Sequence, residues 1–378
     1  MHTRRAALAL GGAGLAASCA AARGFGDGLM RDLGREGAPA SRLTLPPVHV
    51  AAERVIRIDV GLRPFRPSGF RVARETLGDK VLVHNYGHGG GGITLSWGTA
   101  KLAVDLGFDA AKPECAVLGC GAVGLATARL LLERGARVRI YARELSPNTT
   151  SNVAGAQWWP ASVYDHDRVS AAYLAQHFEA ARFAFRRFQS LVGEDYGVAW
   201  ETNYSLSNRA NSSYPAAEDD PMRALVVNQR DLAPEEHNFP RPYVRQFDTM
   251  MIETPHYLRR LEADVRMAGG EIEVRAFSNI AEVRALPQAT IFNCTGLGAG
   301  QLSGDAEITP VRGQLAILLP QPEIGYNTIA REGYMFARRD GVVLGGTFER
   351  GEWSLTPDDD AIARILAGHK SIFEAMRA

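Results

Sequence analysis

Two glycine-rich segments contain the residues best suited to hold a large anionic ligand. Residues 89–92 are four glycines within the sequence HNYGHGGGGITLSW, and residues 119–124 read GCGAVG. Backbone N–H groups can approach a ligand closely at glycine, because no Cβ is in the way. Two such segments on one chain predict an anionic cofactor that is held at both ends. For His84 and His88, which flank the first segment, we expect structural hydrogen bonding and not catalysis.

The second segment lies where a dinucleotide-binding loop requires it. An apolar strand is predicted at 115–119, and a helix at 123–134 is closed by Gly135. A second strand, RVRIY, follows at 137–141. Strand, glycine turn, helix and second strand in this order predict a Rossmann-type βαβ unit, with the ligand's pyrophosphate at the helix N-terminus.

The composition is that of a globular enzyme and argues against a nucleic-acid-binding protein. The chain has 378 residues, of which 42 are Lys or Arg and 42 are Asp or Glu. With no net charge, it has no global field that would attract nucleic acid. Apolar residues make up 46% and charged residues 22%, as in an ordinary globular enzyme. Cys115, Cys120 and Cys294 fall in or beside predicted buried strands, so we expect packing residues and neither a disulfide nor a metal site.

The N-terminus indicates export. Arg4 and Arg5 precede a stretch of Ala, Leu and Gly that reaches about Ala22, without an acidic residue before Asp27. This pattern predicts a twin-arginine signal peptide at 1–25 and a periplasmic protein, while the stretch is too short for a stable membrane span. Cys19 stands in a weak lipoprotein box, so a membrane tether follows only if that residue is lipidated. Residues 26–50, rich in Gly, Pro and Arg, are interpreted as a linker.

The remaining chain alternates strand and helix patterns. Strands are predicted at 54–60, 70–75 and 80–84, and a helix follows at 93–106. A long amphipathic helix at 169–192 has a phenylalanine stripe that is expected in the core. Further along the chain we predict a helix from Thr254, strands at 271–276 and 290–294, more strands up to about 344, and a terminal helix at 359–376.

Short motifs along the chain resemble the flavin-dependent D-amino acid oxidase family over nearly everything after residue 50. Besides the two glycine segments they are GLRPFRP at 61–67, TTSNVAG at 149–155, NCTG at 293–296, RGQ at 312–314 and LGGTF at 344–348. The resemblance implies FAD as cofactor and an α/β (α+β) two-domain fold. A Rossmann-like FAD-binding domain, at about 70–160 and 250–312, would be interleaved with a substrate domain on an antiparallel or mixed sheet, at about 51–69, 161–249 and 313–378.

The order of the motifs differs from that of the family. The GLRP and YGHG segments close the chain in the family, whereas here they open it. The sequence therefore predicts a circular permutation, with residues 108–114 joining the family's former ends. Chain termini of compact domains commonly lie close together, and a new loop costs only roughly 0.6 kcal/mol per doubling of its length.

The resemblance also implies roles for individual residues. Arg63 and Tyr334 resemble the residues that bind the substrate carboxylate, and Gly90 would lie beside the substrate. A guanidinium suits this role because it can donate two parallel hydrogen bonds to a carboxylate. Arg66 is the neighbouring alternative. The residues expected to contact FAD are Gly89, Gly90, Gly91, Gly92, Ile93, Thr94, Gly119, Gly121, Ala122, Val123, Gly124, Arg143, Glu144, Thr149, Thr150, Ser151, Gly155, Ala156, Gln157, Trp158, Thr295 and Gly296.

Three departures from the family pattern leave questions open. Arg143 stands where a carboxylate usually binds the ribose, so either Glu144 takes this role or the adenosine is held less tightly. Trp158 and Trp159 are expected to line the flavin ring and narrow the substrate pocket. Phe348 replaces the Arg typical of enzymes for acidic substrates, although Arg338, followed by a second Arg, leaves an acidic substrate open.

The activity implied is oxidation of a D-amino acid to the imino acid by hydride transfer from Cα to flavin N5. The imino acid is then hydrolysed to the 2-oxo acid and ammonia, and the flavin is reoxidised by O2. No general base is required if the amine arrives neutral, since the cofactor carries the difficult chemistry. The alternatives are a glycine or amine oxidase, an FAD-dependent dehydrogenase with another electron carrier, and a non-catalytic flavin-binding envelope protein.

Overall fold

The computed structural model describes residues 42–210 and 214–377. The predicted signal peptide, its Cys19 and most of the predicted linker lie outside these residues. From Leu43 onward the chain forms one compact unit. None of the helices in this described part combines the length and the apolar composition that a membrane span needs.

Fifteen β-strands occur in the described residues, and most of them end at a glycine, a proline or a polar turn. In chain order they are β1 (Val55–Phe65), β2 (Arg71–Leu77), β3 (Lys80–Tyr86), β4 (Glu114–Leu118), β5 (Arg137–Ala142), β6 (Val198–Ser207), β7 (Val227–Leu232), β8 (Tyr243–Ile252), β9 (Glu271–Val274), β10 (Thr290–Asn293), β11 (Thr309–Leu318), β12 (Asn327–Ala330), β13 (Gly333–Arg338), β14 (Gly341–Gly345) and β15 (Glu349–Arg350).

Seven α-helices connect and cover these strands in the described part of the chain. They are α1 (Ser96–Gly107), α2 (Ala122–Glu133), α3 (Ala171–Gln189), α4 (Thr254–Met267), α5 (Ile280–Arg284), α6 (Gly298–Ser303) and α7 (Asp359–Phe373). Local signals fix several of their ends. Ser170 accepts a hydrogen bond from the third residue of α3, and Asp358 does the same for α7. Pro255 occupies the first turn of α4, where its missing N–H costs nothing.

A six-stranded sheet forms the core of the predicted nucleotide-binding domain. Its strand order is β2-β3-β10-β4-β5-β9. All neighbours are parallel except β2, which is antiparallel to β3. Helices α1 and α2 bury apolar residues against it, because parallel strands require cover on both faces. The early strands β2 and β3 therefore share one sheet with the βαβ unit of β4, α2 and β5.

A nine-stranded mixed sheet forms the second layer of strands. The order is β1-β11-β14-β13-β12-β6-β8-β7, with β15 paired to β11. Only β12 and β6 are parallel to each other in it. The first strand, β1, is antiparallel to β11 from Val55 to Phe65, so residues about 250 positions apart in sequence become neighbours. Helix α7 packs on this sheet with Ile362, Ile365 and Phe373.

The predicted fold class, an α/β protein with a Rossmann-like part and a mixed-sheet part, is confirmed. Strands of the six-stranded sheet come from 71–86, 114–142 and 271–293, and strands of the nine-stranded sheet come from 55–65, 198–252 and 309–350. The two parts are therefore interleaved along the chain. Each sheet draws on distant stretches because its core is completed only when those stretches meet.

Some predicted boundaries were wrong. Residues 43–50 were assigned to the linker, but Val48 and Val50 are buried in the second core and Leu43 bridges to His237. Their apolar side chains are covered by the nine-stranded sheet, which composition alone could not indicate. The helix predicted at 93–106 spans Ser96–Gly107, and the one predicted at 169–192 spans Ala171–Gln189.

Candidate active site

A cavity of about 1400 Å³ is lined by residues from both glycine segments. It exceeds the usual range of roughly 300–1,000 Å³ for drug-sized ligands. Loop 89–94 leads from β3 to α1, and loop 119–123 leads from β4 to α2. Because β3 and β4 both lie against β10, the two loops meet at one edge of the sheet. The cavity has room for a dinucleotide and a small substrate together.

The first turn of α2 is arranged for an anion. Gly119 has a φ of +103°, and a Cβ there would come 2.5 Å from the carbonyl oxygen of Cys294. The turn contains no acidic residue, and Gly121 provides no side-chain cap. The positive end of the helix dipole therefore faces the cavity. Gly124 does not line the cavity: a Cβ on it would overlap the Gly119 carbonyl, so it allows close packing of helix and strand.

The hydroxyl-rich segment beside this turn also lines the cavity. Ser151 Oγ accepts a hydrogen bond of 3.1 Å from the Ala122 N–H. Thr149 Oγ1 donates to the Asn152 side chain at 2.7 Å, and Thr150 begins a short 3-10 helix that reaches Val153. The segment therefore lies beside the N-terminus of α2, at the end of the cavity where we expect the pyrophosphate.

Loop 89–94 packs against the segment that contains Ala161 and Ser162. Gly89 has a φ of +54°, and a Cβ on Gly90 would approach the Ala161 carbonyl oxygen to 2.6 Å. Gly92, Ile93 and Thr94 also line the cavity. Gly91 does not line the cavity, contrary to expectation: a Cβ on it would point toward Val163, 2.7 Å from its Cγ2.

The adenosine end of the cavity is lined by residues that the sequence analysis predicted and by others that it missed. Arg143 and Glu144 line the cavity and pair with each other at 3.3 Å, both largely exposed. The sequence analysis missed Arg275 and Phe277, which line the same end with the guanidinium 4.9 Å from the ring centroid. They directly follow β9, and loops at the carboxyl ends of parallel strands are where such sheets bind ligands. Their place directly after a predicted strand is the sequence signal from which they could have been predicted.

Trp158 is the third expected FAD contact that does not line the cavity, after Gly124 and Gly91. Trp158 is fully buried, 4.6 Å from the ring of Phe185 between centroids, and it does not line the cavity. Its neighbour Trp159 does. The backbone N–H of Trp158 donates to the Met250 carbonyl, as in a β-strand. Because successive side chains of an extended chain point to opposite sides, Trp158 and Trp159 point in different directions. Gly155, Ala156 and Gln157 line the cavity as expected, as do Thr295 and Gly296.

Arg63 lines this cavity, and no carboxylate among the described residues pairs with it. Its Nη1 donates to the Thr347 carbonyl at 3.1 Å, and its Cζ lies 6.0 Å from the Phe348 ring centroid. Within the described residues, Arg63 forms no ion pair at up to 4.0 Å. A half-buried cation without a carboxylate partner is suited to bind an anion, and a guanidinium keeps further N–H donors when one nitrogen donates to Thr347.

The other arginines considered are neutralised. Arg66 pairs with Asp305 at 3.0 Å and with Glu307 at 2.5 Å. Arg338 is buried against Asp340, and Arg339 is exposed beside Glu253. None of these three arginines lines the cavity. Arg338 and Arg339 therefore do not support an acidic substrate.

Tyr334 completes the surroundings of Arg63. Its ring stacks on Phe336 at 4.5 Å, because the two alternate residues of β13 share one face of the strand. Burial raises the pKa of the Tyr334 hydroxyl, and the neighbouring Arg63 opposes part of that shift. The hydroxyl therefore stays protonated at neutral pH and can donate a hydrogen bond.

The two histidines have structural partners. His88 lines the cavity, but burial lowers its pKa to about 3, and Nε2 shares a 2.9 Å hydrogen bond with Thr99 Oγ1. It remains neutral at physiological pH. Burial also lowers the pKa of His84, although Glu75 lies 3.1 Å from its Nε2.

The three cysteines of the described residues are buried free thiols, as packing residues would be. Burial raises the pKa of each to about 12. Among the described residues, no cluster of three His, Cys, Asp or Glu side chains could hold a metal ion.

The residues around the cavity fit FAD. The N-terminus of α2, whose first turn contains no acidic residue, suits the pyrophosphate, and glycine backbone at 89–92 leaves room for a flat ring system. A Cβ on Gly155 would come 3.1 Å from the Tyr334 ring, so the flavin side of the cavity also depends on a glycine.

The sequence profile of the family described as FAD dependent oxidoreductase matches residues 38–106 and 114–378. The chain belongs to this family, and FAD is its cofactor.

Curated relatives agree with the family. A D-amino-acid oxidase of Streptomyces coelicolor is 32% identical over 259 residues, which cover 67% of this chain and 75% of the relative. A human D-aspartate oxidase is 31% identical over 258 residues, covering 67% of this chain and 73% of the relative. The predicted family resemblance is thereby confirmed.

Solved structures support the fold. A glycine oxidase from Geobacillus kaustophilus superimposes with a TM-score of 0.54 at 16% identity, over 69% of this chain and 78% of that one. A glycine oxidase from Bacillus cereus gives a TM-score of 0.52 at 17% identity, over 70% and 79%. At this level of identity the similarity concerns the fold alone.

Proposed function

We propose that this flavoenzyme oxidises a D-amino acid to the corresponding imino acid. The observation that carries the proposal is Arg63, a cation without a carboxylate partner in the cavity that both FAD-binding loops line. The preference for the D-enantiomer is supported by the relatives of about 32% identity that are named D-amino-acid oxidase.

The residues of the chain would bind and orient the substrate. Arg63 would hold the carboxylate with two parallel hydrogen bonds, and the protonated Tyr334 hydroxyl would donate a third. Bound FAD supplies the acceptor for the Cα hydrogen, which leaves as hydride. The amine loses its proton and the imino acid is hydrolysed by water to the 2-oxo acid and ammonia. His88 stays neutral, so no protonated histidine competes for the carboxylate.

The test is anaerobic mixing of the FAD-loaded protein with a panel of D-amino acids, their L-enantiomers and glycine. Bleaching of the flavin absorption by D-amino acids, and not by L-enantiomers, is the expected result. Bleaching by glycine alone would favour a glycine oxidase, and no bleaching by any compound would favour a non-catalytic flavoprotein. Peroxide release compared with dye reduction then distinguishes O2 from another electron carrier.

We also propose that the chain is a circular permutation of the family fold. The family profile matches in two separate segments divided at 107–113, which supports a junction there. β2 and β3 lie in the sheet of the βαβ unit, as the permuted order requires. Helix α7 packs on the sheet that contains β1.

Export remains a proposal that rests on Arg4 and Arg5. Replacing both with lysine should retain the protein in the cytoplasm, as measured by cell fractionation and immunoblotting. An unchanged periplasmic fraction would contradict the twin-arginine route. Metabolic labelling with a fatty acid tests whether Cys19 is lipidated.

A further inference from the structure

One strand pairing of the nine-stranded sheet is interrupted beside the cavity. β11 pairs with β14 as far as Gly345 and with β15 from Glu349 onward. Between these two positions, residues 346–348 lie opposite residues 313–314 of β11. Three residues opposite two form a β-bulge, which redirects the backbone locally and is over-represented next to active sites. We call residues 346–348 the bulge.

Both residues that we expect to bind the substrate carboxylate contact the bulge. Arg63 Nη1 donates a hydrogen bond to the Thr347 carbonyl at 3.1 Å. A Cβ on Gly346 would come 3.0 Å from the Tyr334 hydroxyl, so this hydroxyl lies directly over the first residue of the bulge. A shift of the bulge backbone would therefore displace both hydrogen-bond donors.

Gln314 holds the bulge from the opposite strand. Its backbone N–H donates to Thr347 Oγ1 at 3.1 Å. Its side chain is fully buried and binds two further segments: Nε2 donates to Glu349 Oε1 at 2.8 Å, and Oε1 accepts from the Asp358 N–H at 2.8 Å. Every hydrogen bond that ties Gln314 to this region therefore fixes either the bulge or a residue that follows it.

Glu349 holds the same threonine from the other side. Burial would raise the pKa of its carboxyl, but hydrogen bonds from Thr347, Gln314 and Arg312 lower the pKa below the ordinary value. Arg312 also forms an ion pair with this carboxylate. The ionised carboxylate is thus an acceptor for the Thr347 hydroxyl, which in turn accepts from the Gln314 N–H. Both sides of this hydroxyl are engaged.

We propose that Thr347 is a positioning residue for the substrate carboxylate, and that Gln314 and Glu349 hold it in place. The Thr347 carbonyl takes one N–H of Arg63, which fixes the guanidinium plane and leaves its other N–H groups for the substrate. The inference rests on the proposed function, since it assumes that the carboxylate binds at Arg63. The Thr347 side chain then acts on carboxylate binding through Arg63.

The role of Glu349 can be separated from the effect of its charge, because the two act in opposite directions. A negative charge near the cavity repels an anion, so Glu349→Gln would tighten anion binding if charge alone mattered. An amide nitrogen cannot accept a hydrogen bond, so glutamine cannot replace a carboxylate that accepts from several donors at once. Glu349→Gln should therefore loosen the bulge and weaken anion binding.

The first experiment measures binding to the FAD-loaded enzyme without turnover. Propanoate carries a carboxylate but no amine, and its affinity is read from the change in the flavin spectrum. Thr347→Val removes the hydroxyl at nearly constant size and should weaken propanoate by about tenfold, because a displaced guanidinium loses its hydrogen-bond geometry. Thr347→Ser keeps the hydroxyl and should bind propanoate within about threefold of the unsubstituted enzyme. Glu349→Gln should weaken propanoate by about threefold or more.

Thr202→Val is the matched control. Thr202 Oγ1 donates to Asp248 Oδ1 at 2.9 Å in the same sheet, and Thr202 does not line the cavity. Both Thr→Val variants lose one hydroxyl hydrogen bond of the sheet, so their free energies of unfolding should fall by similar amounts. Only Thr347→Val should change the affinity for propanoate, and FAD affinity should stay within about twofold in both variants.

The second experiment separates binding from the chemical step. It uses the D-amino acid that bleaches the flavin of the unsubstituted enzyme fastest. In Thr347→Val, KM should rise by about tenfold, whereas the limiting rate of anaerobic flavin reduction at saturating substrate should fall by less than about threefold. General damage to the fold would not produce this difference between KM and the limiting rate.

Unchanged propanoate affinity in Thr347→Val, or no recovery in Thr347→Ser, would overturn the role of Thr347. Tighter or unchanged binding in Glu349→Gln would overturn the role of Glu349. Equal losses of FAD and propanoate affinity would also overturn the inference, because they would show a general structural effect. Failure of the proposed function differs from all of these. In that case Arg63→Ala would leave propanoate affinity unchanged, or no D-amino acid would bleach the flavin of the unsubstituted enzyme.

Discussion

The guanidinium of Arg63 lies directly over the backbone of Gly313. A Cβ built on Gly313 would stand 2.6 Å from Arg63 Nη1 and closer still to Nη2. The two residues are brought together by the β1–β11 ladder, in which Gly61 pairs with Gly313. The missing side chain at 313 therefore sets the position of the cation at which we expect the substrate carboxylate to bind.

Gly313→Ala should displace Arg63 and raise KM for every D-amino acid by about tenfold or more, since a misplaced bidentate donor loses its geometry. Overpacking of this kind costs about 1–3 kcal/mol when nothing can move, but a flexible arginine can yield. Gly325→Ala is the matched control, because a Cβ there meets nothing within 4 Å. An unchanged KM in Gly313→Ala would contradict the role of this contact.

Arg63→Ala should reduce kcat/KM by roughly 100-fold or more, because loss of one partner of a desolvated charge pair costs about 2–5 kcal/mol. Arg63→Lys should recover only part of the activity, since an ammonium cannot donate the parallel pair of hydrogen bonds. Both variants should remain yellow after purification, as Arg63 is not needed for the pyrophosphate. Steady-state kinetics and flavin content measure the two effects separately.

Trp158 and Trp159 should behave in opposite ways. Trp158→Ala should lower the free energy of unfolding by about 3–5 kcal/mol, because it empties a fully buried site beside Phe185. Trp159→Ala should cost less stability but alter ligand affinity, since this side chain lines the cavity. Chemical denaturation measures the first effect and substrate titration the second. Equal losses of stability would contradict the assignment.

The buried His88 should make the enzyme less stable in mild acid. Its pKa is lowered from 6.5 to about 3, so between these values the unfolded chain binds more protons than the native protein. Stability contributed by this site is therefore present above pH 6.5 and is lost as the pH falls toward 3. Between pH 7 and pH 5, His88 should lower the free energy of unfolding by about 2 kcal/mol. The buried His177, whose pKa is also lowered, should add to this decrease.

His88→Gln should remove that part of the pH dependence while keeping a hydrogen-bonding group near Thr99. Denaturation curves at pH 7 and pH 5 test this, and the difference between them should shrink by about 2 kcal/mol in the variant. An identical pH dependence in both proteins would show that His88 is not the group responsible.

Restoring the family order should preserve the fold. In this variant, residues 42–106 follow residue 377 through a short linker, so that the buried Val48 and Val50 are kept, and the chain begins near residue 114. Because the sheets keep all their strands, FAD should bind with an affinity within about tenfold of the original, since loop closure depends only weakly on loop length. An insoluble or colourless product with several linker lengths would count against the permutation.

Much of the fold could be predicted from local patterns. The βαβ unit was correctly located because its glycine turn, helix and strands are specified by residues within one or a few turns of each other. The helix end at Gly135, with a φ of +82°, is a further example of a signal carried by one residue type. The end of the predicted linker was wrong because burial of Val48 and Val50 depends on a distant sheet.

The site was predicted less completely. Arg275 and Phe277 reach the adenosine end through the parallel pairing of β9 with β5, which joins stretches about 130 residues apart.

The sequence alone determined the cofactor-binding loops, because glycine conformations and the absence of Cβ act locally. It also singled out Arg63 and Arg66 as the two candidates for a carboxylate anchor. The tertiary structure decided between them: Asp305 and Glu307, 239 and 241 positions along the chain, neutralise Arg66, while Arg63 has no such partner in the described residues. Charge pairing depends on distance in space, and sequence separation does not specify it.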